Sequence, residues 1–118
     1  FTLDGTDPAT DINATIDAEV KANDVLLFMK GTPQMPMCGF SGQVVFMLDK
    51  LGVAYKGHNV LASEELRQGI KDYTNWPTIP QLYVKGEFIG GCDIVREMFQ
   101  SGELQTLMAD KGVTTAVA

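Results

Sequence analysis

The apolar positions of this chain change period along its length, and the changes mark out its elements. Ile12, Ile16 and Val20 recur every four residues, which predicts a helix over residues 10–22 with Thr10 or Asp11 placed to cap it. Val25-Leu26-Leu27-Phe28-Met29 is a short unbroken apolar run, the pattern of a central strand covered on both faces. Gly31, Pro33 and Pro36 then exclude regular structure up to Cys38. Beyond it Val44, Val45, Leu48 and Leu51 follow helical spacing, and Gly52 is a natural stop. Residues 54–60 read as a second, weaker strand. Ser63, with Glu64 and Glu65, opens a third helix with an apolar stripe of Leu66, Ile70 and Tyr73. Gln81-Leu82-Tyr83-Val84 and Glu87-Phe88-Ile89 are short strands joined at Lys85-Gly86, a hairpin signal. Gly90-Gly91 ends the hairpin. Asp93 starts a helical pattern through Val95, Met98 and Phe99, which Gly102 interrupts before Leu104, Leu107 and Met108.

The resulting order is α-β-α-β-α-β-β-α-α. Helical crossovers make the first two strands parallel, and the hairpin makes the last two antiparallel. This is the order of a thioredoxin fold: an α/β domain with a four-stranded mixed sheet flanked by about five helices. One such domain is expected over residues 12–110, with tails at 1–11 and 111–118. No internal repeat or low-complexity tract interrupts it.

Length and composition agree with one soluble globular domain. The 118 residues suffice for a single core, and 45% apolar with 20% charged residues is ordinary for a packed chain. A net charge of −6 argues against nucleic acid and anionic membrane as partners, so an anionic ligand needs a local cluster of cations. Two distant cysteines are not a secreted disulfide framework and fit a reducing compartment. There is no apolar run of the ~18 residues that a transmembrane helix needs, and the first residues lack the regions of a signal peptide. The start at Phe1 reads as a processed or trimmed chain, which leaves room for a removed organelle-targeting segment.

Chemistry concentrates in four places. In Lys30-Gly-Thr-Pro-Gln-Met-Pro-Met-Cys38-Gly-Phe-Ser41 a cysteine stands between a strand and a helix, where free backbone N–H groups and the helix dipole favour thiolate. Lys30 adds a cation nearby. The position of a second, resolving cysteine is Ser41, so a small thiol, a metal, a second subunit or the distant Cys92 must complete the chemistry. In Trp76-Pro77-Thr78-Ile79-Pro80, a proline at a strand start is either a cis turn that exposes the Ile79 backbone to an extended ligand or a trans proline at a sheet edge. Gly90-Gly91-Cys92-Asp93 lets backbone approach a ligand and offers a helix start to a carboxylate, with Asp93 beside it for an ammonium. Cys92 is a second reactive thiol or a small apolar residue. Finally, Arg67 and Lys71 lie one turn apart on the third helix. As a default they are solvated charges, yet Lys30 and Arg67 form the obvious pair for a ligand carboxylate. A groove with thiolate, free backbone edge, cation pair and ammonium pocket suits glutathione.

Other features are read blandly. His58 is the sole histidine and is expected to be a surface strand residue rather than a base. Asn13-Ala14-Thr15 is a chance match to a glycosylation acceptor. Met35 and Met37 form an apolar rim for a partner or are incidental loop residues.

The segments KGTPQMPMCGFS, ELRQGIKDY and WPTIPQLYVKGEFIGGCD together resemble monothiol glutaredoxins of the CGFS type, over residues 12–110 and nearest the single-domain bacterial and mitochondrial branch. The resemblance implies a homodimer bridging a [2Fe-2S] cluster, with Cys38 as iron ligand and reactive thiol and one glutathione thiol per subunit. It implies a glutathione site of Lys30 and Arg67 at the glycyl carboxylate, Thr78, Ile79 and Pro80 along the backbone, and Gly91, Cys92 and Asp93 at the γ-glutamyl end, with Phe40 as a wall over the cluster. It also implies cluster transfer between a scaffold and acceptor apoproteins, complexes with BolA-like proteins, and residence in a bacterial cytoplasm or a mitochondrial matrix. Two alternatives use the same residues: a glutathione-dependent reductase of glutathionylated proteins, and a Cys38–Cys92 redox switch.

Overall fold

All five side chains of the apolar run Val25–Met29 are buried, as an uninterrupted hydrophobic strand requires when both faces of a sheet are covered. This strand, β1, is seen in a computed structural model that describes residues 8–113, with side chains from Ile12 onward. Around it the chain runs α1 (Pro8–Ala22), β1, β2 (Gly31–Thr32), β3 (Met35–Pro36), α2 (Gly39–Leu51), β4 (Lys56–Asn59), a 3-10 turn (Val60–Ala62) and α3 (Glu64–Thr74). It continues through β5 (Gln81–Val84), β6 (Glu87–Gly90), α4 (Cys92–Ser101) and α5 (Glu103–Asp110).

The main sheet has the order β4-β1-β5-β6. β1 and β4 are parallel, with Leu27 opposite Gly57, and β1 and β5 are antiparallel, with Leu27 opposite Leu82. β5 and β6 close as the expected hairpin, whose turn residues Lys85 and Gly86 both have positive φ, at 52° and 83°. Two adjacent left-handed residues match the twist of the flanking strands. The fold is the thioredoxin arrangement that the pattern predicted.

Strand alternation divides the core into two layers. Val25, Leu27 and Met29 point into one with Val44, Leu48 and Leu51 of α2, Val95 of α4 and Leu104 of α5. Leu26 and Phe28 point into the other with Ile16 and Val20 of α1 and Leu66 and Ile70 of α3. Each fully buried aliphatic side chain contributes on the order of 2 kcal/mol of transfer free energy, so the sheet is clamped from both sides. That clamp fixes the ends of β1 and β5, where the chemistry sits. No helix among the described residues is long and apolar enough to cross a membrane.

The structure departs from the sequence reading in several places. Helix α1 begins at Pro8, two residues before Thr10, because proline's fixed φ suits a first helical turn; residues 1–7 and 114–118 of the expected tails lie outside the described residues. The stretch from Gly31 to Pro36, expected to be irregular, folds back as a two-residue ladder in which Gly31 faces Pro36 and Thr32 faces Met35. Prolines at its turn and outer edge leave enough N–H groups to close it. The second strand is confined to Lys56–Asn59, since Asn59 caps the 3-10 turn by accepting from Leu61 N–H. Helix α4 starts at Cys92, one residue before Asp93. His58, expected at the surface, is 7% exposed. It stacks on Phe28 with ring centroids 5.6 Å apart, and its Nε2 lies 3.0 Å from Glu19 Oε1. Strand β4 is covered by α1, which a local pattern does not reveal.

Candidate functional site

Cys38 stands at the junction where β3 hands the chain to α2. It is the N-cap of that helix, in extended conformation (φ −150°, ψ 136°), and its side chain makes no capping bond. The sulfur therefore lies over the N–H groups of the first turn. Its pKa is held below the ordinary thiol value, chiefly by the Ser41 backbone N–H; burial opposes this, while the Phe40 N–H, the Lys30 charge and the Ser41 hydroxyl add to it. Thiolate character at a helix N-terminus follows from N–H groups that have no intrahelical acceptor.

The approach to Cys38 is shaped by two residues. Gly31 has φ +91°, and a Cβ there would lie 2.5 Å from Met35 O and Met37 N, so only glycine lets the β2–β3 ladder fold this tightly. The ladder is then tied back by Met37 N–H donating to Lys30 O at 2.9 Å. Ser41 is fully buried and accepts the Lys30 backbone N–H at 3.1 Å, joining the end of β1 to α2. Met35, Met37 and Phe40 remain 69%, 64% and 55% exposed, an apolar rim around the sulfur.

A cleft of about 510 Å³ opens beside that rim. Lys30, Cys38 and Phe40 line it from the β1 and α2 side, Thr78, Ile79 and Pro80 form its middle, and Gly91, Cys92 and Asp93 close the far end. The Ile79–Pro80 peptide is cis, the first of the two alternatives for this proline. Among the described residues, no backbone–backbone hydrogen bond outside helices and strands uses the Ile79 N–H or C=O. At the far end Gly91 lets Trp76 approach: a Cβ there would lie 3.2 Å from Trp76 Nε1 and 3.4 Å from Pro80 O.

Arg67 alone of the sequence-selected residues is not in the lining. It pairs with Glu64 one turn earlier on α3, and Lys71, one turn later, lines the cleft in its place. Helical spacing put both cations on one side of α3, but only the tilt of that helix against the sheet decides which one reaches the opening.

Cys92 and Cys38 are both free thiols on the same cleft. Burial pushes the Cys92 thiol up; Arg96 opposes this, while Asp93 and Cys38 add to it. Its Sγ donates to Gln43 Oε1 at 3.5 Å. Arg96 bridges to the same Gln43 oxygen at 3.0 Å and to Asp93 Oδ1 at 2.9 Å. Gln43 and Arg96 carry no signal in the sequence; Lys71 stood beside Arg67 there as a solvated charge, and Trp76 entered only as part of the 76–80 motif, not as a wall with Gln81 beneath it. Gln81 had one visible signal, a polar residue opening an otherwise apolar strand.

The sequence model of the glutaredoxin family matches residues 25–89. A monothiol glutaredoxin of Synechocystis is 58% identical over 95 residues, 80% of this chain and 89% of that protein. A probable monothiol glutaredoxin 2 of Rickettsia typhi is 53% identical over 81% of this chain and 86% of its own length. The mitochondrial monothiol glutaredoxin-5 of Lachancea kluyveri is 49% identical over 86% of this chain and 73% of its own. Among solved structures, a monomeric truncated mutant of Trypanosoma brucei 1-C-Grx1 superposes with a TM-score of 0.82 at 42% identity, covering 90% of this chain and 96% of the other. Reduced poplar apo GrxS14 gives 0.77 at 47% identity, covering 88% and 95%. With one half-buried, thiolate-favouring cysteine on a thioredoxin fold and these relatives across most of its length, the chain belongs to the monothiol glutaredoxin family.

Proposed function

We propose that the protein binds glutathione in the cleft beside Cys38 and carries a [2Fe-2S] cluster as cargo, shared between two copies of the chain. The observation that carries this reading is a single depressed thiol at the mouth of an open cleft, with the Ser41 hydroxyl in place of a resolving sulfur.

The cleft's chemistry supports glutathione. Lys30 and Lys71 supply cations at one end for the glycyl carboxylate. Arg67 joins them if it leaves Glu64. The Ile79 backbone is available for pairing with an extended peptide, and the start of α4 with Asp93 suits the carboxylate and ammonium of the γ-glutamyl group. A ligand stretched between these ends has its thiol in the middle, next to Cys38.

The donor set supports a shared cargo. A [2Fe-2S] cluster takes four ligands, usually thiolates. Among the described residues no group of three or more His, Cys, Asp or Glu side chains could hold a metal ion within one chain. Cys92 is buried and its thiol favours the protonated form. Two Cys38 thiolates and two glutathione thiolates complete the count, and Met35, Met37 and Phe40 shelter the assembly. Ligands that leave with a small molecule favour delivery, so the cluster passes from a scaffold to acceptor apoproteins, with a BolA-like protein as an alternative to the second copy. Anaerobic reconstitution with iron, sulfide and glutathione tests this: a coloured dimer is expected, and Cys38→Ser should stay colourless. A colourless monomer from the unaltered protein sinks the proposal.

The low Cys38 pKa also favours a second reading, reduction of glutathionylated proteins. Cys38 thiolate attacks the glutathione sulfur to form a Cys38–glutathione disulfide, the protein thiolate leaves and takes up a proton, and a second glutathione thiolate attacks that disulfide, releasing oxidised glutathione and restoring the Cys38 thiolate. Steady turnover on a glutathionylated substrate with glutathione as reductant favours this reading; turnover no faster than that of Cys38→Ser removes it.

A further inference from the structure

We infer that Gln81 is a positioning residue for the ligand cleft: its buried carboxamide clamps the Trp76–Thr78 segment so that the Ile79 backbone is left as the pairing edge. Gln81 opens β5 with no exposure at all. Its Nε2 donates to Trp76 O and to Thr78 O, each at 3.2 Å. Carbonyls only accept, so these two bonds settle which end of the amide is nitrogen. The other end, Oε1, accepts from Thr74 Oγ1 at 3.0 Å and Tyr83 OH at 3.3 Å. Both donor hydrogens of the amide thus meet carbonyls and its oxygen accepts at least one hydroxyl proton, the condition under which a buried polar side chain rigidifies its surroundings. The Thr74 hydroxyl has one proton for Gln81 and for Ile70 O at 2.7 Å, so Tyr83 secures the remainder.

The consequence lies in which backbone groups remain. Pro77 and Pro80 have no N–H, and Trp76 N–H is used on Lys71 O at 3.2 Å. Gln81 consumes the carbonyls of Trp76 and Thr78. That leaves the Ile79 N–H and C=O as a donor and acceptor pair on one residue, which is the unit an extended peptide recognises. Clamping also holds Trp76 against Gly91 at the far wall of the cleft. Without the amide, two carbonyls lose their donors and the segment gains alternative orientations, so the ligand must order it on binding.

This inference rests on the glutathione reading, and the test separates the two. The protein has one tryptophan, Trp76, so its fluorescence reports both the clamp and the ligand. Reduced glutathione is titrated into the full chain, well below the melting temperature of each variant, with calorimetry as a second readout. In Gln81→Leu the dissociation constant is expected to rise about tenfold or more, the scale of unsatisfied buried carbonyls and a loosened segment. In Gln81→Glu the buried carboxyl regains one O–H donor when protonated, so its affinity relative to that of the unaltered protein is expected to recover as pH falls from about 8 to about 5. Thr74→Val touches only the acceptor side and is expected to lower stability while leaving affinity within about twofold. A folded Gln81→Leu or Gln81→Glu that binds as tightly as the unaltered protein at every pH overturns the inference. Failure of the unaltered protein to bind glutathione overturns the ligand reading itself.

Discussion

The backbone N–H of Lys30 donates to the hydroxyl of Ser41, 3.1 Å away, at the position where a dithiol protein would carry its second sulfur. Ser41 is therefore a structural hinge pin as well as a missing cysteine: its hydroxyl ties β1 to α2 and its own N–H faces Cys38. Replacing it with alanine leaves the partly buried N–H of Lys30 without this partner, a loss of about 1 kcal/mol in stability. Thermal or urea unfolding of Ser41→Ala checks this, and a change below a few tenths of a kcal/mol would contradict the role assigned to the hydroxyl.

The two thiols should react in sequence. Cys38 has its pKa lowered, and Cys92 has its pKa raised by burial. Alkylation at neutral pH followed by mass mapping is expected to label Cys38 first, with Cys92 labelled slowly or only on unfolding. Faster labelling of Cys92 would reverse the assignment. After mild peroxide treatment, which takes two electrons from the pair, a Cys38–Cys92 link is the expected product of the switch reading, and its absence on non-reducing maps removes that reading.

The Cys38 shift also has a sign in stability. A group whose pKa is depressed by folding contributes stability that is full above its unfolded value and is lost as pH falls through the folded value. The difference in unfolding free energy between the unaltered protein and Cys38→Ser should therefore widen as pH rises through the lowered Cys38 pKa and level off above about 9. A flat difference across that range would show that the N–H groups do not favour the thiolate.

Gly31→Ala should be costly. Its φ of +91° is left-handed, and the added Cβ would meet backbone atoms at 2.5 Å, where no flexible side chain can yield. The left-handed conformation alone costs about 1–2 kcal/mol, and the clash adds to it. The β2–β3 ladder is expected to open, so the variant should melt earlier and lose preferential alkylation of Cys38. An unchanged melting temperature would contradict the tight ladder.

His58 gives an acid-side prediction. Its pKa is lowered, mainly by burial, with the Glu19 carboxylate opposing. Protonation of the unfolded chain near pH 6.5 then draws the equilibrium toward unfolding, and stability is lost as pH falls through the lower folded value. His58→Phe keeps a ring against Phe28 and has no proton to take up. Its melting temperature should fall less steeply than that of the unaltered protein below about pH 6.5; parallel curves would rule out His58 as the titrating group.

Much of this molecule was legible from local pattern, because local pattern is what sets an element's type. The unbroken run at β1 required cover on both faces, Gly52 and Gly102 adopt the left-handed stop that a helix end favours, and Lys85-Gly86 closes the hairpin. Cys38 could be placed at a helix start because prolines before it and helical spacing after it leave no other boundary. Nine of the ten expected site residues line one cleft because they lie just after β1, β3 and β6 or just before β5, at the same end of the mixed sheet.

What the residue string alone determined, then, is the sequence of elements and the location of the thiol at a helix N-terminus, since periodicity, capping and turn chemistry act within a few residues. Only the tertiary structure decided that Lys71 rather than Arg67 faces the cleft, that His58 is buried beneath α1, and that Gln81 holds the Trp76–Thr78 segment. Each of those outcomes depends on how one element tilts or stacks on another far away in the chain, and the free energy of that packing is summed over both core layers rather than written at any single position.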